Sequence, residues 1–280
     1  MPTPPVDSRQ HALVAAARRL VADAGRIVVL TGAGVSAESG VPTFRGVGGL
    51  WKEYRAEELA TPEAFARDPR LVWEWYEWRR AIVRRCEPNA AHRALAAFAA
   101  ARDGVRIATQ NVDGLHVRAA RATAGGDAHR ALPVELHGSL FRARCTACAH
   151  RVPLDEPVVD AADRASLPTC SRCGALLRPD VVWFGESLDP ALLTEAFEAA
   201  SQSDLCLVVG TSALVQPAAS IATRAQARGA RLIEVNPEPT PITALADVSL
   251  RAAAATVVPA LLDAHSLPPP PPPPPPGGAT

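Results

Sequence analysis

The sequence predicts an α/β fold, in which a doubly wound parallel sheet carries a smaller inserted domain, and three observations lead to it. Short β-branched runs end in glycine or polar residues, as buried parallel strands do before a turn. Alanine-rich helical segments alternate with these runs, which is the order that βαβ units require. Two closely spaced pairs of cysteines interrupt the alternation. The clearest strands are predicted at 26–31, 104–109, 205–210 and 231–236.

Length and charge limit the classes of function. The chain has 280 residues, with 29 basic and 29 acidic side chains, so its formal net charge is zero. We therefore expect no nucleic-acid partner. No apolar run approaches the ~20 residues that span a bilayer, so we also expect no membrane partner. The first residues lack the basic-then-apolar order of a secretory signal, so we expect a cytoplasmic protein. We also expect it to be a monomer.

The interruptions of the strand-helix alternation predict the domain boundaries. The segments are 8–45, 101–138 and 181–262 for the sheet domain, 46–100 for a helical lobe and 139–180 for a cysteine-containing lobe of the small domain. Residues 263–280 include nine consecutive prolines, which cannot pack a core. We expect this tail to be disordered and rich in polyproline II structure, the alternative being a ligand for a proline-recognising partner.

A glycine-rich turn follows the first predicted strand. Its sequence, GAGVSA at 32–37, matches the dinucleotide fingerprint in its GxGxxA form. Such a turn lets backbone N–H groups approach a pyrophosphate at a helix N-terminus, although a tight turn without a ligand fits the glycines alone equally well. Gly40 and Pro42 break the following helix early. We therefore expect a loop carrying Phe44 and Arg45 over a dinucleotide, which makes hydride transfer the less natural chemistry.

Four of the six cysteines form the most specific pattern in the sequence. They are Cys145, Cys148, Cys170 and Cys173, in two CxxC pairs. Paired CxxC turns can present four thiolates tetrahedrally to zinc, whereas four free buried cysteines would need the same spacing to arise twice by chance. Four sulfur ligands leave no position for water, so the predicted ion is structural. The other two, Cys86 and Cys206, are expected to be buried as small apolar residues.

Polar residues follow the second predicted strand in the sequence TQNVDGLH, at 109–116. A parallel sheet places such residues at its ligand-binding edge. The carboxamides and the Asp113 carboxylate could hold ribose hydroxyls and a nicotinamide amide. Taken singly, Asn111 could be a turn residue and Asp113 a helix cap. We expect His116 to be packed or on the surface and not catalytic.

His137 stands at the expected junction between the domains, directly before Gly138. Most lone histidines are structural. A histidine at the mouth of a cleft is also the natural general base, because imidazole exchanges protons near neutral pH.

Taken in chain order, these motifs resemble those of sirtuins. The similar segments are GAGVSAESGVPTFR at 32–45, TQNVDGLH at 109–116, HG at 137–138, the two CxxC pairs, GTS at 210–212 and VNPE at 235–238. The resemblance implies a Rossmann-type large domain and a small zinc-plus-helical domain. It also implies NAD-dependent removal of acyl groups from lysines of protein or peptide substrates.

The resemblance further implies roles for individual residues. The implied NAD contacts are Gly32, Ala33, Gly34, Ser36, Ala37, Thr43, Phe44, Arg45, Trp51, Gln110, Asn111, Asp113, Gly210, Thr211, Ser212, Asn236, Glu238 and Ala254. In the implied reaction, the acyl oxygen attacks the ribose carbon as nicotinamide leaves. His137 draws a proton from a ribose hydroxyl, and water finally releases O-acyl-ADP-ribose.

The acyl group is predicted from an aromatic helical segment. Tyr76 and Arg79 are one helical turn apart and so share a face, where an arginine fork beside a phenol suits a carboxylate. The pair looks like the Tyr-x-x-Arg motif of the sirtuin subgroup that prefers succinyl and malonyl lysine. Ala60 matches the small residue that leaves room for the longer chain. The alternative is an aromatic core helix with a snorkelling arginine.

The segment VVWFGE at 181–186 predicts an exposed strand to which an extended substrate peptide can pair. An ordinary sheet strand is the alternative. The predicted peptide contacts are Val181, Trp183, Phe184 and Gly185.

Three classes of function remain open from the sequence. They are a lysine deacylase that prefers acidic acyl groups and retains some deacetylase activity, an NAD-dependent protein ADP-ribosyltransferase, and a non-catalytic NAD or ADP-ribose sensor. Intact His137, Asn111 and Asp113 argue against the sensor. Tyr76 with Arg79 favours the deacylase, because a transferase has no evident use for a carboxylate clamp.

Overall fold

A six-stranded parallel sheet forms the centre of the larger domain. The computed structural model describes residues 8–42, 55–123, 127–157 and 167–263. The strands are β1 (Ile27–Thr31), β2 (Val105–Thr109), β3 (Val134–Glu135), β4 (Gly138–Cys145), β5 (Arg151–Pro153), β6 (Leu177–Val181), β7 (Leu205–Val209), β8 (Arg231–Val235) and β9 (Val248–Leu250). The sheet order is β3-β2-β1-β7-β8-β9 with every pair parallel. From β1 the following strands are added on one side of the sheet, and from β7 they are added on the other side. Doubly wound sheets bind ligands at such a reversal of strand order, which here lies between β1 and β7.

Helices cover both faces of this sheet. They are α1 (Ser8–Asp23), α2 (Ala56–Leu59), α3 (Pro62–Arg67), α4 (Pro69–Arg84), α5 (Ala90–Ala101), α6 (Leu115–Ala122), α7 (Ala128–Ala131), α8 (Pro190–Gln202), α9 (Ser220–Ala227) and α10 (Ala254–Leu262). Helices α1, α5, α6, α7 and α10 pack on one face, and α8 and α9 on the other. Ile27 and Val29 face the first layer while Val28 and Leu30 face the second, which is why β1 is apolar throughout. The predicted fold class is confirmed.

Within the four described ranges, no helix combines the length and the apolar character needed to cross a bilayer. The longest helices, α1 and α4, have 16 residues each.

Helix α5 corrects one predicted domain boundary. The sequence placed residues 46–100 in the helical lobe, but Leu95 and Phe98 of α5 belong to the core beneath the parallel sheet. The alanines of α5, among them Ala96 and Ala99, are buried in the same core. Their small side chains suit close helix packing, and the helical pattern of α5 does not itself reveal which domain it packs against.

The smaller domain combines α2, α3 and α4 with the antiparallel sheet β5-β4-β6. Asp68 begins α4 by accepting a hydrogen bond from the Leu71 amide at 2.9 Å. The aromatic face of α4 then packs on the sheet, and Trp73 Nε1 donates to the Leu177 carbonyl of β6 at 3.0 Å. The helical and cysteine-containing lobes therefore share one core.

The strand predicted at 181–186 is wrong in its placement. Strand β6 occupies 177–181 and is buried, and the chain then turns, with the Glu186 amide donating to the Trp183 carbonyl at 3.0 Å. Gly185 supplies the left-handed conformation of this turn, with φ of 84°. The Phe184 amide donates to the carbonyl of Ala60 at 2.9 Å, so the turn is fastened to the end of α2.

The four predicted zinc ligands meet at one end of the smaller domain. Their sulfur atoms lie within 4.8 Å of one another. The Sγ–Sγ distances are 3.4 Å for Cys145–Cys173, 3.6 Å for Cys173–Cys148 and 3.7 Å for Cys148–Cys170. Thiolates bound to zinc at ~2.3 Å in a tetrahedron lie about 3.8 Å apart, so the cluster fits one structural zinc ion. Backbone amides, first that of Cys148, donate to Cys145 Sγ and lower the pKa of this thiol to about 6.

Chelation of zinc should unfold the smaller domain. Cys145 and Cys170 are part of its core, and loss of a structural zinc site removes on the order of 10 kcal/mol of binding free energy. We expect the near-ultraviolet circular dichroism signal from the buried tryptophans Trp73, Trp75 and Trp183 to collapse on chelation, while helical dichroism from the larger domain persists.

Metal analysis supplies the control for this prediction. The native chain should carry one zinc ion per molecule, Cys148→Ser should lose it, and Cys206→Ala, at a buried cysteine outside the cluster, should keep it. A native chain that contains no zinc would contradict the site.

Candidate functional site

A cleft lies between the carboxyl edge of the parallel sheet and the smaller domain. One cavity of about 420 Å³ adjoins the glycine-rich turn after β1. A second, of about 670 Å³, extends beneath the smaller domain. Both are lined by Arg79, Gln110, Val112 and His137. The two cavities therefore meet at these four residues.

The glycine-rich turn is shaped by contact with the turn after β7. Gly34 N donates to the carbonyl of Gly210 at 2.7 Å, and a Cβ on Gly34 would lie 2.8 Å from Gly210 Cα. A Cβ on Gly32 would lie 2.7 Å from Thr211 Cβ. The glycines thus permit loop-to-loop packing as well as lining the smaller cavity. The chain continues into a 3₁₀ helix, Ala33–Ser39, which ends at Gly40 where the sequence predicts a break.

The buried hydroxyl of Ser36 is hydrogen-bonded to two of the predicted ribose-binding residues. It donates to Asp113 Oδ2 at 2.7 Å and accepts from Asn111 Nδ2 at 3.0 Å. His92 Nε2 lies 3.3 Å from the same oxygen. Because His92 Nδ1 accepts the amide of Asn89, Nε2 carries the proton and donates to Ser36. Burial raises the pKa of Asp113, and the hydrogen bond from Ser36 is among the interactions that oppose this rise.

A second buried layer lies directly beneath this one. His116 Nε2 is 3.0 Å from Thr31 Oγ1, which donates to Thr109 Oγ1 at 2.8 Å, and Thr109 in turn accepts the amide of Asn111 at 3.1 Å. The rings of His92 and His116 meet edge to face, with centroids 4.7 Å apart. Burial lowers the pKa of both imidazoles, that of His92 to about 4, so both are neutral at pH 7. His116 is packed, which is one of the two placements that the sequence left open.

His92 was absent from the sequence-based site. The available signal was a helix-capping pattern: the Asn89 side chain accepts from the amides of Ala91 and His92, while His92 accepts the Asn89 amide. That pattern predicts the start of α5 and gives no indication that the other ring nitrogen reaches Ser36.

His137 is half-buried where the two cavities meet. Its Nδ1 lies 2.9 Å from the carbonyl oxygen of Gln110, which can only accept, so Nδ1 carries the proton. Nε2 is then the basic nitrogen, the tautomer that a general base needs. The Gln110 side chain donates to Thr211 Oγ1 at 3.0 Å, which ties this segment to the turn after β7.

The remaining predicted NAD contacts divide into four groups. Those lining the smaller cavity include Ala33, Gly210, Thr211, Ser212 and Asn236. Ala37 and Glu238 are exposed beyond it, and Ala254 is buried in the core at the start of α10. The residues outside the described ranges are Thr43, Phe44, Arg45 and Trp51.

The larger cavity contains the predicted acyl-binding residues. Tyr76 and Arg79 line it from one face of α4, together with Ala60 and Trp75. The Arg79 guanidinium carbon lies 4.7 Å from the Trp75 ring centroid and 5.6 Å from that of Tyr76. Burial raises the pKa of Tyr76 and lowers that of Arg79. The predicted peptide contacts Val181, Trp183, Phe184 and Gly185 also line this cavity.

Acidification should destabilise the protein through His92. Its pKa is about 4 in the folded chain against 6.5 ordinarily, so the unfolded chain binds the proton first as the pH falls. The stability that neutral His92 contributes is fully present above pH 6.5. As the pH falls from 6.5 towards 4, the free energy of unfolding decreases on this account by about 3 kcal/mol at most. Urea unfolding between pH 7 and pH 4.5 should show a shallower pH dependence for His92→Gln than for the native chain.

The matched control for this titration is His129→Gln, at an exposed histidine, which should keep the native pH dependence. An unchanged slope in His92→Gln would show that His92 does not carry the effect.

Comparison with known proteins identifies the family. The model of the Sir2 family matches residues 32–217, more than half of the chain. NAD-dependent protein deacylase 2 of Pyrobaculum aerophilum is 51% identical over 244 residues, covering 87% of this chain and 92% of that protein. A crystal structure of a Sir2 homologue with NAD has a TM-score of 0.77 at 46% identity, over 88% of this chain and 91% of the other. A mutant Sir2 homologue with 2'-O-acetyl ADP ribose has the same TM-score at 43% identity, over 92% and 96%. Together with the cleft described above, these matches show that the chain belongs to the Sir2 family, the sirtuins.

Proposed function

We propose that this sirtuin is an NAD-dependent protein-lysine deacylase that prefers acyl groups ending in a carboxylate, succinyl and malonyl above all. Family membership and the residues around the smaller cavity support the deacylase activity. The observation that supports the acidic preference is that Tyr76 and Arg79 line the larger cavity, which His137 also lines.

The protein's own residues hold the reactants and move one proton. When bound in this cleft, NAD would supply the ribosyl carbon that the acyl oxygen attacks, with nicotinamide as the leaving group. His137 Nε2 accepts the proton of a ribose hydroxyl, and the Gln110 carbonyl stabilises the imidazolium through its hydrogen bond from Nδ1. Asn111 and Asp113, joined through Ser36, present fixed polar groups to the ribose and carboxamide side of the cleft.

The carboxylate preference follows from the cost of burying charge. A carboxylate loses hydration when it enters a partly enclosed cavity, and only paired donors compensate that loss. Arg79 offers a guanidinium and Tyr76 a phenol, while Ala60 leaves space for a longer chain. Glu186 also lines the cavity, but its charge is paired with Arg178 and Arg144. An acetyl group uses neither donor.

The same NAD site would serve an ADP-ribosyltransferase, the second activity that the sequence leaves open. Deacylation is favoured because the larger cavity is lined both by His137 and by two hydrogen-bond donors, Tyr76 and Arg79, that can bind a carboxylate. Transfer of ADP-ribose to a protein has no use for such a pair.

Replacement of the base tests the reaction itself. His137→Ala should lower steady-state nicotinamide release by roughly 10²–10⁴-fold with every acyl peptide, because the proposed reaction loses its general base. Release is measured by chromatography with acetyl-, malonyl- and succinyl-lysine peptides. His11→Ala, at an exposed histidine of α1, is the control and should retain native rates. Substantial turnover by His137→Ala would remove His137 from the mechanism.

Replacement of the arginine tests the acyl preference. Arg79→Met should reduce kcat/KM for succinyl peptides by roughly 10- to 100-fold, the worth of a charged hydrogen bond, and should reduce that for acetyl peptides much less. Arg70→Met on the same helix is the matched control, because Arg70 pairs with Glu74 at 3.0 Å and does not line the cavity. Equal losses on both peptides would reject the clamp while leaving the deacylase activity in place.

A further inference from the structure

The indole of Trp183 makes a directional hydrogen bond to the proposed acyl clamp. Trp183 is 3% exposed and Tyr76 is 2% exposed, and Trp183 Nε1 lies 2.8 Å from Tyr76 Oη. An indole N–H can only donate, so the phenol oxygen is the acceptor. Among the described residues, this is the one hydrogen bond that Tyr76 Oη makes. The phenol proton is therefore available to a different acceptor.

The indole ring is held by packing. The guanidinium carbon of Arg178 lies 3.2 Å from its centroid, close enough for a cation–π contact. The ring of Phe65 packs against it with a centroid distance of 5.3 Å. Rotation of the Trp183 side chain would lose both contacts together with the bond to Tyr76.

Glu186 fixes the backbone on which the indole is mounted. Its Oε2 accepts the Trp183 amide at 2.8 Å and Arg178 Nη2 at 2.9 Å. Arg144 Nη2 donates to the same carboxylate at 3.1 Å. Arg178 Nη2 also donates to the carbonyl of Val181 at 2.9 Å, so the ion pair braces both ends of the turn. This network sets the position of Trp183 independently of any substrate.

We propose that Trp183 is a specificity-determining positioning residue, which occupies one acceptor site on Tyr76 and thereby directs the phenol proton towards the carboxylate of a bound acyl group. The Arg178–Glu186 pair holds the indole in that place. The inference rests on the proposed preference for acidic acyl groups and deepens it. Trp183 acts through Tyr76, and its role differs from the peptide contact that the sequence predicted.

The protonation of Tyr76 supports this role. Burial raises the pKa of the phenol, so it keeps its proton at neutral pH. A protonated phenol donates to a carboxylate, which has only acceptor sites. With the Trp183 N–H on one lone pair and the proton directed elsewhere, Tyr76 and Arg79 act as two donors towards a single carboxylate.

The test compares two buried tryptophans that differ in their hydrogen-bond acceptors. Trp183→Phe should lower the ratio of kcat/KM for succinyl over acetyl peptides by about fivefold, mainly through a higher KM for the succinyl peptide. Trp73→Phe removes a comparable N–H bond, to the Leu177 carbonyl in the same core, and should keep the ratio within about twofold. If Trp183 has only a packing role, the succinyl-over-acetyl ratio should change to a similar extent in both variants. That result would overturn the inference.

A double-mutant cycle shows whether Trp183 acts through Tyr76. Tyr76→Phe should itself lower the succinyl-over-acetyl ratio, and adding Trp183→Phe to it should cause no further loss. Additive losses would overturn the inference. If Trp183→Phe does not fold, Glu186→Gln replaces it in the cycle, because one amide oxygen cannot accept from Arg178, Arg144 and the Trp183 amide together.

Measurements on the native enzyme distinguish failure of this inference from failure of the proposed acidic preference. Native turnover that favours succinyl peptide, with an unchanged ratio in Trp183→Phe, overturns the role of Trp183 alone. Native deacetylation without any preference for the succinyl peptide overturns the acidic preference and this inference together.

Discussion

The direct backbone contact between the turns after β1 and β7 is the constraint on which the cleft depends. A side chain at Gly210 would place its Cβ 2.3 Å from the Val35 amide, and Gly210 adopts φ of 59°, so glycine is required on both counts. This contact starts the 3₁₀ helix at a fixed point and brings Ser36 against Asn111 and Asp113. The predicted fingerprint therefore shapes the site by packing protein against protein as well as by making room for a ligand.

The larger cavity depends on the shared core of the smaller domain. Cys145 and Cys170 of the zinc cluster and Tyr76 of the larger cavity belong to the same group of buried side chains. Trp73 joins α4 to β6 within it, and Trp183 is hydrogen-bonded to Tyr76. A structural zinc ion thus supports the geometry of the larger cavity, because the described residues of the small domain share this one core, which holds its helices on its sheet.

Local patterns in the sequence predicted the strands β1, β2, β7 and β8, the two CxxC pairs and the shared face of Tyr76 and Arg79, since each depends on spacing within a few residues. The features that sequence reasoning missed are long-range. The ring of His92 reaches Ser36 across 56 positions, and Trp183 reaches Tyr76 across 107. The packing partner of α5 was misassigned for the same reason.

Under the proposed preference, the position of Arg79 would let one cleft favour acidic acyl groups and still accept neutral ones. Arg79 lines both cavities, and Asp113 on the NAD side favours its charged form. A buried guanidinium opposite an apolar acetyl group would otherwise be costly. Because Asp113 offsets part of that charge, the proposed enzyme would retain activity on acetyl lysine. An acyl carboxylate would add a second counter-charge, and the proposed preference is the difference in free energy between the acetyl-bound and carboxylate-bound states.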